Sequence, residues 1–409
     1  MSTSGLRRFD RWVGVPAAGL LTLVRRRPDR DAVLRPDDGI VLVKLAEQGA
    51  TVLAVPAIRR AVELVGRERV HAVVFSSNRP VLDELDLVPP GNIHTIDGSS
   101  SMTAVRDAWR VIRRLRAAGV GAAVDFEFFA RSSAVLCALS GATVRSGLHS
   151  YWGEGPWRGD LSTHRVAWNP QLHVADVFLQ LVDVLREPAG RLPACDPLPT
   201  TVDDDVPRPE IGDADRRRVG ALVAEALGRD PADPVGELVI VNPNSGDLVP
   251  LRRWPHERYV ELVRRVLAAD PELSVVVTGG PDEVSAAGAL VGDVDSPRCV
   301  SIAGRTTLHD LVVLYGMASV LVTNDSGPAH YAALSDVEVV TLFGPESPAV
   351  FGSRSPRSTA IWSGLPCSPC VNALNDRRTT CTDNRCMQAI SVDEVSVVVA
   401  ERRQRSLRG

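Results

Sequence analysis

Short apolar runs alternate with amphipathic stretches along most of the chain. "IVLVKL" (residues 40–45), "RVHAVVFSS", "NIHTID" and "VGAAVDFE" each read as a short buried strand. Between and after them, "VPAIRRAVELVG", "MTAVRDAWRVIRRLRAAG" and "RSSAVLCALSGA" carry apolar residues at helical spacing, and "RPVLDELDLVP" reads as a helix or turn. The long helix should close at Gly119, since glycine tolerates the left-handed conformation that ends helices. The same rhythm restarts near residue 237. "ELVIVNP", "LSVVVTGG", "SVLVT" and "VEVVTLFG" are strands, and "HERYVELVRRVLAA", "DEVSAAGALVG", "LHDLVVLYGMA" and "GPAHYAALS" are helices. Strands alternating with helices predict an α/β fold with parallel sheets and helical crossovers.

One stretch breaks the rhythm. Residues 187–236 are dense in proline and aspartate, as an interdomain connection would be. The expected layout is therefore an N-terminal helical segment (1–39), a first doubly wound domain (40–186), a linker (187–236), a second such domain (237–395) and a tail (396–409). The total of 409 residues suits two cores rather than one.

Composition narrows the partners. A net charge of −4 gives no global basic field, so nucleic acid is not expected. The 46 basic residues are arginine with a single exception, Lys44. The N-terminal run Val13–Val24 is too short for a membrane span and lacks a small-residue cleavage site after it. It reads as a helix packed on the body, or as an interfacial helix with Trp12 in the headgroup zone and Arg25–Arg27 on anionic lipid. The expected location is cytoplasmic, peripheral at the inner face of the plasma membrane.

Three strand ends carry chemistry. In "SVLVTNDSGPAHYAAL" a turn holding Asp325, Ser326 and Gly327 opens a helix with Pro328 and His330 in its first turn. Helix-end N–H groups bind anions, glycine admits close approach, and serine caps or bonds an oxygen. Asp325 would repel a phosphate and suits a hydroxyl or a proton. The competing reading is an ordinary capped helix. "VNPNSGDLVPLRRWP" offers Asn244, Ser245, Arg252 and Arg253, the arginines suiting a diphosphate or a solvated loop. "VVVTGGPDEV" ends in Gly279 and Gly280 with Glu283 after them, a place for ribose hydroxyls or a plain turn.

Together "TNDSGPAHYAAL…VVTLFGPESP", "NPNSG…RRWPHERYVELV" and "VVVTGGPDE" resemble glycosyltransferase family 9, which includes the ADP-heptose lipopolysaccharide heptosyltransferases. The resemblance spans about residues 40–395, with "IVLVKLAEQGATVLAVPAIRRAV" and "AAVDFEFFARSSAVLCALSGATVRSGL" on the N-terminal side. It implies a GT-B fold: two Rossmann-like domains facing across a cleft, acceptor in the first and nucleotide-sugar donor in the second. It implies an inverting, metal-independent transfer to a cell-envelope glycolipid or glycan. Asp325, Ser326, Gly327 and His330 would then hold the donor's diphosphate and sugar. Asn244, Ser245 and Arg252 or Arg253 would meet phosphate, and Gly280 and Glu283 the nucleoside.

The chain departs from the family where the base is expected. Family members carry Gly-Asp in the first loop; here Ala50 stands at the Asp position. A base is still needed within reach of the acceptor hydroxyl. Glu47, in the same loop, is the first substitute, with a solvated loop carboxylate as the alternative; Asp125 and Glu127 follow, Asp125 with a cap or a salt bridge to Arg131 as the alternative. Losing the base altogether would leave a sugar-nucleotide-binding protein, and an epimerase on a similar scaffold is a second rival. No cofactor is expected for catalysis. Cys367, Cys370, Cys381 and Cys386 have paired spacings that suit a structural zinc, with thiols and disulfides as the other readings. Tyr151, Trp152, Trp157 and Trp168 suit sugar stacking or packing equally.

Overall fold

A computed structural model describes residue 5 and residues 10–24, 32–150, 157–189, 205–246, 249–375 and 377–408. The chain divides into two compact units. The first comprises Met1–Asp204 with Val371–Thr379, and the second Asp205–Cys370 with Thr380–Gly409.

Each unit is built on a six-stranded sheet, parallel throughout. In the first, β1 (Gly39–Val43), β2 (Val70–Phe75), β3 (Ile93–Ile96), β4 (Val120–Asp125), β5 (Val144–His149) and β6 (His164–Ala167) lie in the order β3-β2-β1-β4-β5-β6. In the second, β7 (Leu238–Asn242), β8 (Ser274–Val277), β9 (Cys299–Ser301), β10 (Val320–Asn324), β11 (Glu338–Phe343) and β12 (Ser358–Trp362) lie in the order β12-β11-β10-β7-β8-β9. These are one topology twice, with winding that reverses between β1 and β4 and again between β7 and β10. At such a reversal the crossovers leave toward opposite faces and a crevice opens at the strands' carboxyl ends. The central strands are buried on both faces, which is why they read as unbroken Val, Ile and Leu runs.

The helices follow the amphipathic patterns. Ser101–Ala117 ends as expected, with Gly119 at φ 67° just beyond it. Two expectations change. The segment taken as linker contains the helix Asp213–Ala226, whose buried Val219 and Val223 belong to the second unit. The expected tail is the second half of a helix, Val392–Ser406. Its Val395 and Val399 are buried, Arg403 reaches Glu237 at 2.5 and 2.7 Å, and Arg402 reaches the fully buried Glu338 at 2.9 Å.

A short π-turn, Asp10–Gly14, and a helix, Val15–Val24, cover part of the first unit. Ala18 packs with Ala134, Ala138 and Leu161. Asp10 accepts the Arg131 and Ser132 amides at 2.9 and 2.7 Å, capping the helix Arg131–Leu139. The outward side shows Trp12, Leu20, Leu23 and Val24, each more than 60% exposed. Arg25–Arg27 lie outside the described residues. Among the described residues no helix is long and apolar enough to cross a membrane.

His71 on β2 and His94 on β3 stack with ring centroids 5.5 Å apart, and their nitrogens meet at 3.3 Å. Burial lowers both, and His94 falls to about 4, with His71 and Arg114 as lesser causes. A lowered histidine supports the fold above its unfolded value, about 6.5, and withdraws that support as pH falls through the folded value. His94 is therefore expected to cost about 2–3 kcal/mol of stability between pH 6.5 and 4, with His71 acting in the same direction. Thermal unfolding should show this loss in the wild type and a clearly smaller one in His94→Gln; equal pH slopes would contradict it.

Candidate functional site

The expected site residues gather at the two crests where winding reverses. At the second sheet the β7 end pairs with β10, Asn242 against Thr323. Asn324, the last residue of β10, knots the neighbouring loops together. Its amide donates to the carbonyls of Pro243 and Asn244 at 2.8 and 3.2 Å. Its carbonyl accepts the Trp254 amide at 3.1 Å and the Tyr259 hydroxyl at 2.9 Å. Asn242 and Asn244 both reach Thr278 across to β8. A side chain at Gly279 would put its Cβ 2.8 Å from the Asn244 amide, so glycine there lets Asn244 reach Thr278. These asparagines hold the loop rigidly beside Asp325.

Asn324→Ala should therefore strip four partners from one buried spot. The expected result is about 3–5 kcal/mol of lost stability in the second unit, read by denaturant unfolding; a loss under about 1 kcal/mol would contradict the clamp.

Arg252 is buried rather than poised in solvent. Its Nη2 lies 2.6 Å from Glu346, its Nε 3.4 Å from the Asp325 carboxylate, and its Nη1 donates to the Asp325 carbonyl at 3.1 Å. Asp325 and Glu346 are themselves almost completely buried. One guanidinium thus orients two carboxylates. Arg253 is the exposed member of the pair, with its Nη2 3.5 Å from the Gly246 carbonyl. Asn244 and Ser245 are buried beneath it.

The helix after Asp325 is short, Gly327–Tyr331, with Pro328 in its first turn and His330 buried. Two details differ from expectation. Ser326 sits at the cap position but makes no side-chain cap; its hydroxyl donates to the Asn324 carbonyl at 3.2 Å and lies 3.3 Å from Thr323. The space over Gly327 belongs to the Tyr331 ring, whose hydroxyl would lie 2.7 Å from an added Cβ. At the β8 end the Glu283 carboxylate accepts the Gly280 amide at 2.8 Å, closing its own turn.

The first sheet's crest holds the candidate bases. Lys44, the residue after β1, is buried. Its ammonium donates to the Ala46 carbonyl at 2.7 Å and meets Glu127 at 3.2 Å and Glu47 at 3.4 Å. Glu127 also accepts the Ala46 amide at 3.0 Å. Glu47 has φ 68° and ψ 78°, a left-handed backbone that costs a non-glycine residue about 1–2 kcal/mol. It precedes the helix Gln48–Leu53, in which Ala50 is buried. Its second oxygen pairs with Arg377. Glu47 is the most exposed of the three carboxylates; its side chain is 22% exposed, against 11% for Glu127 and 3% for Asp125.

Asp125 ends β4 but faces inward. It accepts the Glu127 amide at 3.0 Å and the Ser133 hydroxyl at 3.0 Å, and pairs with Arg158 at 2.8 Å. Burial raises its proton affinity to about 6 against the pull of Arg158. A raised carboxylate suits a base, and the three donors on its oxygens also tie the β4 turn together. The expected partner Arg131 pairs with Asp10 instead.

Sequence reasoning missed Glu346, Asn324 and Arg377. Glu346 had a signal, a charge inside the apolar "LFGPESP" run. Among the described residues no group of three or more His, Cys, Asp or Glu is arranged to hold a metal ion. Cys367 and Cys381 are exposed, Cys370 is half-buried and Cys386 is buried; none of the described cysteines is in a disulfide. Trp168 packs edge-on against Phe128, Trp157 is exposed, and Tyr151 and Trp152 lie outside the described residues.

A model of glycosyltransferase family 9 (heptosyltransferase) matches residues 108–379. The chain is 35% identical over 102 residues to a lipopolysaccharide heptosyltransferase 2 of Salmonella typhimurium and 34% identical over 102 residues to the Escherichia coli K12 protein of the same name. Each match covers 24% of this chain and 29% of the relative's own length. Among solved structures, an E. coli ADP-heptose lipopolysaccharide heptosyltransferase II superposes with a TM-score of 0.66 at 17% identity, covering 90% of this chain and 99% of that one. A family 9 glycosyltransferase of Veillonella parvula gives 0.69 at 17% identity, covering 92% and 100%. An E. coli heptosyltransferase solved with ADP gives 0.61 at 16% identity, covering 89% and 99%. These likenesses fix the fold as GT-B.

Proposed function

The chain belongs to glycosyltransferase family 9, and from that premise we propose that it moves a heptose-like sugar from a nucleoside-diphosphate donor to a hydroxyl of a cell-envelope glycolipid, with inversion. The observation that carries this reading is the second sheet's crest, where Arg252 orients two buried carboxylates beside the Asp325–His330 turn. Asp325 and Glu346 suit the sugar's hydroxyls. The exposed Arg253, the Ser326 hydroxyl and the buried His330 suit the diphosphate. The solved relatives with ADP in their names support an adenosine donor of the ADP-heptose kind.

In this chemistry Glu47 takes the proton of the acceptor hydroxyl. The acceptor oxygen bonds to the anomeric carbon, the bond from that carbon to the diphosphate oxygen breaks, and the diphosphate leaves with the electron pair. Helix-end amides and Arg253 stabilise the departing charge. No step needs a metal ion or a cofactor. The apolar outer side of Val15–Val24, followed in sequence by Arg25–Arg27, suits attachment to an anionic membrane surface that carries the acceptor.

The buried Ala50 favours one other reading, a donor-binding protein without turnover. The discriminating experiment is ADP release from ADP-heptose with and without a heptose-accepting core glycolipid. Acceptor-dependent release is expected. Tight donor binding with no release under any acceptor would leave the binding reading, and donor turnover without acceptor would point to an epimerase.

A further inference from the structure

The first unit includes nine residues from far along the chain, Val371–Thr379, although the chain on both sides of them belongs to the second unit. One of them, Arg377, pairs with the Glu47 carboxylate. Its guanidinium carbon lies 5.1 Å from the Phe128 ring centroid. Lys44 lies 5.6 Å from the same ring and 3.4 Å from the other Glu47 oxygen. The two cations thus share one aromatic ring and hold the two oxygens of one carboxylate. Lys44 is the chain's single lysine, so the compact ammonium is kept here in a chain that uses arginine elsewhere. Glu47 meanwhile keeps a left-handed backbone, a conformation that persists only where surroundings enforce it.

We propose that Arg377 is a positioning residue that, with Lys44, holds the Glu47 carboxylate aimed for proton abstraction. The inference rests on Glu47 being the base. The fork of Arg377 fixes one oxygen and the Phe128 ring fixes the fork. Glu127 shares Lys44 at 3.2 Å, so removing Arg377 would leave Glu47 with one shared cation beside a second carboxylate, a change that favours the acid over the carboxylate. The same pairing makes each encounter with an acceptor hydroxyl find one geometry rather than several.

The experiment measures kcat, the donor KM and the pH profile of ADP release for the full-length wild type, Arg377→Met, Arg377→Lys and Glu47→Gln. Arg377→Met should lower kcat about 10- to 100-fold, leave the donor KM unchanged and move the acid limb of the profile up by about one pH unit. Arg377→Lys keeps the charge and loses the fork, so it should restore the limb and only part of kcat. A purely structural arginine would lower activity without moving the limb, and thermal unfolding of each variant separates that case. If Glu47→Gln is inactive while Arg377→Met keeps the wild-type limb, this inference is overturned and the base reading stands. If Glu47→Gln is fully active, the base reading itself fails.

Discussion

Glu47→Gln is expected to lower kcat by about 10²–10⁴-fold, the usual contribution of a positioned base, while binding of the nucleotide is unchanged. The substitution keeps the side chain's size and removes only the ability to take a proton. Lys44 and Arg377 would then face a neutral amide, so some loss of local order accompanies the chemical loss. Glu127→Gln supplies the internal comparison. Its carboxylate is spent on the Ala46 amide and Lys44, so it should disturb the loop and lower stability more than it lowers turnover per folded molecule. Stopped transfer in Glu127→Gln with full activity in Glu47→Gln would move the base to the other carboxylate of the pair.

Arg252→Met should be the most damaging change in the second unit. It removes the guanidinium that the buried Asp325 and Glu346 share. Removing one member of a buried ion cluster destabilises by about 3–5 kcal/mol, because the charges that remain stay desolvated and lose their shared cation. Unfolding of the second unit should show that loss, and donor affinity should fall at least about tenfold, about 1.4 kcal/mol. The double change Arg252→Met with Glu346→Gln should recover part of the stability, since one of the two buried charges is gone, but not the donor affinity. Full recovery of both would mean that the carboxylates have no part in holding the donor.

The central strands were legible because both their faces are buried, so β1, β2, β4, β7, β8, β10 and β11 show as apolar runs. The strands that periodicity passed over are short or polar. β5 carries Arg145, Ser146 and Gly147, and β6 opens on His164 and Arg165 before Val166 and Ala167. β9 is three residues long at one edge of its sheet, and β12, Ser358–Trp362, is at the other. The two sheet orders followed from nothing in the local pattern, because strand neighbours are set by crossovers.

The site was legible to the depth of its loops. "NDSGPAH" and "NPNSG…RRWP" mark crest residues by composition, and the structure ties them through Asn324. Spacing could not show that Arg252 turns inward to Glu346, since the two are brought together only by the fold. Nor could it show that Gly327 yields its space to Tyr331 rather than to a ligand. The pair Glu47–Arg377, separated by 330 residues, is beyond any local reading.

The donor assignment at the second sheet's crest is tested most directly by hydrogen–deuterium exchange of the full chain with and without saturating ADP. Protection is expected in residues 243–246, 250–256 and 323–331, with the amides of β2 and β3 unchanged. Protection confined to the first sheet's crest, around residues 44–50 and 125–131, with none near Arg252 and Asp325, would contradict it.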